Sequence, residues 1–427
     1  MNVLWISNYP LPSIIQALGM KAIYNEGWKC KLAEQLCADS GISSFCLAFA
    51  TTDGKTYSGK IGNMAYESFS AVTDACGCTC EMAITEIIRR HQPDVIHIWG
   101  TEFPHTAAAL RAARTCGIEK HTVISLQGIM RACTDCYDKY LPKKACRRMI
   151  GDRLLGRGVK VEKRGFGKRA EYEAKALALA THVIGRTDFD RAYALSINPA
   201  LIYHFCGETM REDFYEGAWR YDACEKYTVF MSQAMYPIKG LHTVLPIIAR
   251  IKEKYPSVQL RIAGGDILSA PRGRMKFLKR YAYPTYLRRM IKKYGLEENI
   301  VSLGPLDAAQ MKEEYLRANV FLSGSVVENS PNSVCEALLL GVPTVASNVG
   351  GTSDVLAHKK EGYLYECDHA VMGAYYIDRI FSNREEAEAF GREAQKGAHA
   401  RHNREGNYET LKRIYKVISS NEKEVSL

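Results

Sequence analysis

Short apolar runs alternate with amphipathic stretches along this chain, and that alternation leaves few ways for it to fold. A first series opens with a strand at Asn2–Asn8, a helical stretch near Ile14–Ala38 and an apolar strand at Ser43–Ala50. It continues through a helix near Glu81–His91, the strand Asp94–Gly100, a helix at Ala107–Cys116 and the strand Thr122–Leu126. A long basic connection then leads to a helix near Gly167–Ala180, the strand His182–Gly185 and a last strand at Leu201–Phe205. Strands this short and this apolar are buried on both faces, and the helices between them return the chain to the same edge. A parallel sheet wrapped by helices on both sides follows.

The stretch Gly207–Lys226 is polar and irregular, which marks a domain boundary. Beyond it a second series begins at Tyr227–Ser232 and runs through a helix at Leu241–Lys254 to the strand Val258–Ala263. After a basic insertion come Ile300–Leu303, a helix at Ala308–Ala318, the strand at Val320 and the strand Thr344–Ser347. An amphipathic stretch near Tyr408–Val417 reads as a terminal helix. With 427 residues the chain is too long for one ordinary core and suits two α/β domains. No stretch reaches the roughly 18 uncharged apolar residues a membrane span needs. The N-terminus reads directly as a first strand, with no basic region or cleavage site, so a cytoplasmic protein with reduced thiols is expected.

The segment from Glu328 to Gly351 carries the most chemistry. Ser330 is placed to cap a helix with Pro331 at its first position, where a missing N–H costs nothing. Gly341 reads as the stop, and Pro343 forbids continuation. The start of such a helix offers free N–H groups and a positive dipole end to a phosphate or a sugar hydroxyl. Glu328 lies just before that end and Glu336 about a turn and a half inside it, so both can accept hydrogen bonds from one bound ligand.

This arrangement resembles the Glu-x7-Glu signature of family-4 retaining glycosyltransferases, as found in bacterial polysaccharide-type enzymes. The resemblance implies the GT-B fold: two Rossmann-like, doubly wound α/β domains facing across a cleft. An N-terminal acceptor-side domain would cover 1–215, with a C-terminal helix at about 403–420 packing back on it. A nucleotide-sugar-binding domain would cover 226–400. In that family the first Glu contacts the donor sugar and the second holds the ribose, roles that fall here on Glu328 and Glu336. Pro237-Ile-Lys239-Gly240 resembles the basic motif whose Lys meets the donor diphosphate, where a cation stabilises developing negative charge. Relatives carry an Arg several residues upstream; Gln233 is the nearest counterpart here. Gly264 and Gly265 match the loop beneath the nucleotide, Gly304 and Leu306 the loop facing the base. Ser330, Asn332 and Ser333, at the helix start, join the donor-binding set. On the acceptor side Glu102, Gln127 and Gly128 sit at strand ends, and His105 is a candidate imidazole where relatives have a His in place of Gln127. His97, inside an apolar strand, reads as a core residue. Asp188-Phe-Asp190 reads as acids opening a helix.

The expected function is therefore retaining transfer of a hexose-type sugar from a UDP-, GDP- or ADP-sugar to a glycan or lipid-linked acceptor, in polysaccharide or glycoconjugate synthesis. By family analogy no metal or other cofactor is needed. Two alternatives remain open: an epimerase or phosphorylase of the same fold, and a non-catalytic basic protein that binds anions or nucleic acid. No known nucleic-acid motif accompanies the basic stretches, so nucleic acid is not expected as a partner. A dinucleotide oxidoreductase is disfavoured because Asn8-Tyr-Pro10-Leu-Pro12, rather than Gly-x-Gly-x-x-Gly, follows the first strand. Of the cysteines, Cys76-Gly-Cys78-Thr-Cys80 has the wrong spacing for zinc, and Cys133-x2-Cys136 has no clear second pair.

The net charge of +10 is uneven. Lys139–Arg169 holds twelve Lys/Arg against two acids, and Arg272–Lys293 holds nine and no acid, so the remainder is net negative. Both stretches interleave cations with apolar and aromatic residues. Two readings follow: peripheral contact with the inner face of an anionic membrane, or a solvated rim that draws in anionic nucleotides.

Overall fold

The computed structural model describes residues 1–20, 29–71, 78–269 and 280–420. Contacts divide the chain into two units, Met1–Met130 with Lys168–Thr209 and His402–Leu427, and Arg131–Gly167 with Met210–Arg401. The segment 131–167, read from the sequence as part of the first domain, packs with the second. Its Tyr137, Cys146 and Val159 are buried in the same apolar cluster as Val229, Phe321 and Ile377.

In the first unit, β1 (Asn2–Ser7), β2 (Ser44–Thr51), β3 (Ser58–Ile61), β4 (Met64–Ser70), β5 (Val95–Trp99), β6 (Thr122–Ser125), β7 (His182–Gly185) and β8 (Ile202–Phe205) form one sheet. The strand order is β3-β4-β2-β1-β5-β6-β7-β8, and only β3 with β4 pairs antiparallel. Separate apolar clusters built on alternate residues of β1 (Leu4 and Ile6 in one, Val3 and Trp5 in the other) cover the sheet. That is the pattern of a strand buried on both faces. The helix Arg404–Ser420 belongs to this unit. Its Tyr415 hydroxyl accepts from Trp5 Nε1 at 2.9 Å and bonds His97 Nδ1 at 2.6 Å. His97 Nε2 lies 2.7 Å from Ser125 Oγ, so this imidazole is a fully partnered core group.

The second unit holds β9 (Thr228–Met231), β10 (Gln259–Ala263), β11 (Ile300–Gly304), β12 (Val320–Ser323), β13 (Thr344–Ser347) and β14 (Tyr363–Tyr365). All pair parallel in the order β11-β10-β9-β12-β13-β14. The chain leaves β9 for β10 on one side and later returns to β12 on the other. In open sheets of this kind, the gap beyond the C-terminal ends of the two strands where the order reverses is where ligands bind. For this unit those strands are β9 and β12.

Candidate functional site

Beyond β9 the chain passes through Ser232–Tyr236 and a short 3-10 turn, Pro237–Lys239, before the helix Leu241–Lys254 begins. The helix is entered at Gly240, whose φ of 71° is left-handed. A Cβ at Gly240 would lie 1.7 Å from the carbonyl oxygen of Gly324, just past β12. Only glycine permits that approach. It draws the loops after β9 and β12 together, and Val326 N–H donates to Ile238 O at 2.8 Å to hold them.

The closure sets Lys239 against Glu328. Lys239 Nζ is 2.6 Å from Glu328 Oε1, which also accepts from Ser325 Oγ at 2.7 Å. Ser325 is fixed in turn by Ser347 Oγ, which donates to its carbonyl at 2.5 Å. Burial alone would push the Lys239 ammonium down, but the Glu328 carboxylate more than reverses this, and its pKa sits above the ordinary lysine value. Both groups stay partly open, with 27% and 15% of their side chains exposed. A held cation and a held carboxylate, both reachable, can receive a diphosphate and a sugar hydroxyl respectively.

The helix after Glu328 begins at Asn332 and ends at Leu339. Pro331, and not the expected Ser330, is therefore the N-cap residue, and its ring supplies no cap hydrogen bond. Pro331 precedes the turn with φ −75° and ψ 100°, an extended conformation its ring already favours. Asn332 is exposed and Ser330 and Ser333 are half-buried at this helix start. Glu336 lies on the inner face and is 5% exposed. Arg211 Nη2 and Nε both donate to its Oε1, at 2.7 and 2.9 Å, while the Tyr315 hydroxyl lies 3.4 Å from Oε2. At the β10 end, Gly264 N–H donates to Gly304 O at 2.8 Å, and both glycines have positive φ, 102° and 74°. A Cβ at Gly265 would come within 2.8 Å of the Met235 side chain, and Leu306 is half-buried against the core.

The acceptor-side candidates fall in the first unit. Glu102 accepts from Thr101 N–H at 2.9 Å and from Asn8 Nδ2 at 3.4 Å, at the ends of β5 and β1. Gln127 offers its carbonyl to Arg186 at 3.1 Å, and Gly128 follows it, half-buried. His105 is different. It is 3% exposed, stacked on Phe103 at 5.6 Å and edge-on to Phe69 at 5.4 Å. Burial pushes its imidazole down to about 4. It is a core histidine in this structure, because the first turn of the helix Pro104–Thr115 turns it inward. Asp190 and Thr187 form a reciprocal cap on the helix Asp188–Ile197, as acids opening a helix do. Among the described residues no group of three or more His, Cys, Asp or Glu is placed to hold a metal. Cys133 and Cys136 are half-buried and in no disulfide; Cys76 lies outside the described residues.

Residues 222–397 match the family model described as "Glycosyl transferases group 1". They form a group 1 glycosyltransferase domain. A putative glycosyltransferase of Bacillus subtilis, YtcC, is 26% identical over 183 residues, which are 42% of this chain and 43% of that protein. The matched stretch thus spans less than half of that relative. Solved structures align over nearly everything. Sucrose-phosphate synthase from Thermosynechococcus elongatus gives a TM-score of 0.67 at 16% identity, over 98% of this chain and 99% of that one. Anabaena HepE in complex with UDP-glucose gives 0.63 at 14%, over 97% and 99%. The fold is GT-B, with two Rossmann-like α/β units.

Around Glu328 and Glu336, sequence reasoning missed three contributors. Arg211 and Tyr315, the partners of Glu336, lie 125 and 21 positions from it, and no local spacing links such residues. Ser325 lies two residues past the end of β12. Its signal was a hydroxyl three residues before Glu328, within reach once the chain turns.

Proposed function

We propose that this chain is a retaining glycosyltransferase that moves a sugar from a nucleotide-sugar donor to a glycan or lipid-linked acceptor in polysaccharide or glycoconjugate synthesis. The carrying observation is the Lys239–Glu328 pair, held at the strand-order reversal of a glycosyltransferase domain. The donor diphosphate lies against Lys239 and the N–H groups at the Asn332 helix start, its sugar hydroxyls against Glu328, and its ribose against Glu336. The bond from the anomeric carbon to the diphosphate oxygen breaks as negative charge gathers on that oxygen. Lys239 stabilises that charge more in the transition state than in the ground state. The acceptor hydroxyl attacks the same face and its proton passes to the departing phosphate, so the configuration is kept. These side chains supply the chemistry without a metal. UDP-glucose in HepE, a protein of the same fold, supports a nucleotide sugar as donor.

A thermal-shift panel of UDP-, GDP- and ADP-sugars tests the reading. A ligand held by the native state raises Tm by mass action. One nucleotide class should shift Tm and release free nucleoside diphosphate when the right acceptor is added. A panel without any shift would overturn the proposal.

A further inference from the structure

Two cationic stretches far apart in sequence are tied together in the second unit. The Asp152 carboxylate, 2% exposed, accepts through one oxygen from Met149 N–H and from Ala282 N–H, each at 2.8 Å. Gly151 N–H donates to Arg280 O at 3.0 Å. The only acid between Lys143 and Arg157 is thus turned inward to fasten the short helix Ile150–Leu154 to the start of the helix Ala282–Tyr294. What faces solvent is cationic and apolar. Lys143, Lys144, Arg147, Arg153, Arg157 and Arg280 are exposed. Among them stand Ile150, Leu154 and Leu155, with 49%, 64% and 54% of their surface open.

Three aliphatic side chains in adjoining turns, exposed and ringed by arginine, suit neither a core nor a freely solvated face. We infer that this is a membrane-docking surface, in which Ile150, Leu154 and Leu155 enter the headgroup boundary of an anionic bilayer and the surrounding Lys and Arg hold its phosphates. Charge complementarity selects that occupant. Among the described residues from Lys143 to Arg157 no carboxylate is exposed, and the aliphatic tip matches acyl chain rather than nucleic acid. The inference is independent of the transferase reading, since it concerns binding without a nucleotide sugar. Arg272, Arg274, Lys276 and Lys279, which the sequence also marks as basic, lie outside the described residues.

Co-sedimentation of the full chain decides it, using vesicles of phosphatidylcholine alone and vesicles in which phosphatidylglycerol replaces part of it. Binding is expected to the anionic vesicles only, with release at high salt. Each basic residue at a membrane surface contributes roughly a fivefold factor, so replacing Arg147, Arg153, Arg157 and Arg280 together by Ser should weaken partitioning at least about a hundredfold. Ile150→Ser with Leu154→Ser and Leu155→Ser should weaken it about tenfold or more, at unchanged charge. All seven positions are exposed, and an unchanged Tm verifies the fold of both variants. Equal binding to neutral vesicles, no binding at all, or retention by either variant would overturn the inference. Retention by the serine-for-aliphatic variant would identify a plain polyanion surface instead.

Discussion

Arg211 donates twice to one oxygen of Glu336, from Nη2 at 2.7 Å and Nε at 2.9 Å, and leaves the other oxygen facing the Tyr315 hydroxyl at 3.4 Å. The carboxylate assigned to the ribose is thus oriented by a cation before any nucleotide arrives. Glu336 is nearly enclosed, and a buried carboxylate that loses its cation keeps the desolvation cost. Arg211→Ala is expected to lower folding stability by about 1–3 kcal/mol, read from the urea midpoint. An unchanged midpoint would show that the pair contributes nothing to the fold.

Removing the carboxylate itself acts on the ligand. Glu336→Ala is expected to weaken nucleotide-sugar binding by roughly 1.5–3 kcal/mol for each ribose hydrogen bond lost. Calorimetric titration with the nucleotide that shifts Tm measures it, and full affinity in the variant removes Glu336 from the site.

Lys239→Ala separates binding from chemistry. Charge on the diphosphate grows as the glycosidic bond breaks, so kcat should fall more than affinity. Steady-state kinetics showing a raised KM at constant kcat would reduce Lys239 to a binding group.

Gly240→Ala tests the close approach of the two loops. Its Cβ would meet the Gly324 carbonyl at 1.7 Å, at a φ of 71°. Left-handed strain and overpacking each cost about 1–3 kcal/mol, so thermal denaturation should show a loss of several kcal/mol or no folded protein. A near-native Tm would mean that the loops can part without cost.

Buried histidines give the fold a pH dependence. Burial lowers His97 to about 3, and His105, His182 and His242 each to about 4, from an ordinary 6.5. Unfolded chains take up these protons near pH 6.5, whereas the folded protein resists until about pH 4. Stability is therefore full above pH 6.5 and falls as pH drops from 6.5 towards 4, by roughly 1 kcal/mol per pH unit for each group. His105→Phe, facing Phe69 and Phe103, should make that decline shallower in urea titrations at pH 7 and pH 5. An unchanged slope would show that His105 takes up its proton alike in both states.

The sequence by itself determined the parallel α/β plan, since strands such as Val320–Ser323 and Thr344–Ser347 are short runs without charge, built around apolar residues and closed by glycine or proline nearby. It also singled out Glu328, Glu336 and Lys239, because their local motifs resemble those of family-4 glycosyltransferases. Elements carried by polar or basic residues were not legible. The β3–β4 hairpin (Ser58–Ile61 with Met64–Ser70) lacks a continuous apolar signal, and in the helix Ala282–Tyr294 the buried face of Tyr283, Leu287, Met290 and Ile291 is interleaved with Arg and Lys. Tertiary structure decided the rest: that His105 turns into the core, that 131–167 packs with the second unit, and that Arg211 meets Glu336. Each depends on which distant side chains compete for the same buried space or charge, and no periodicity along the chain encodes that competition.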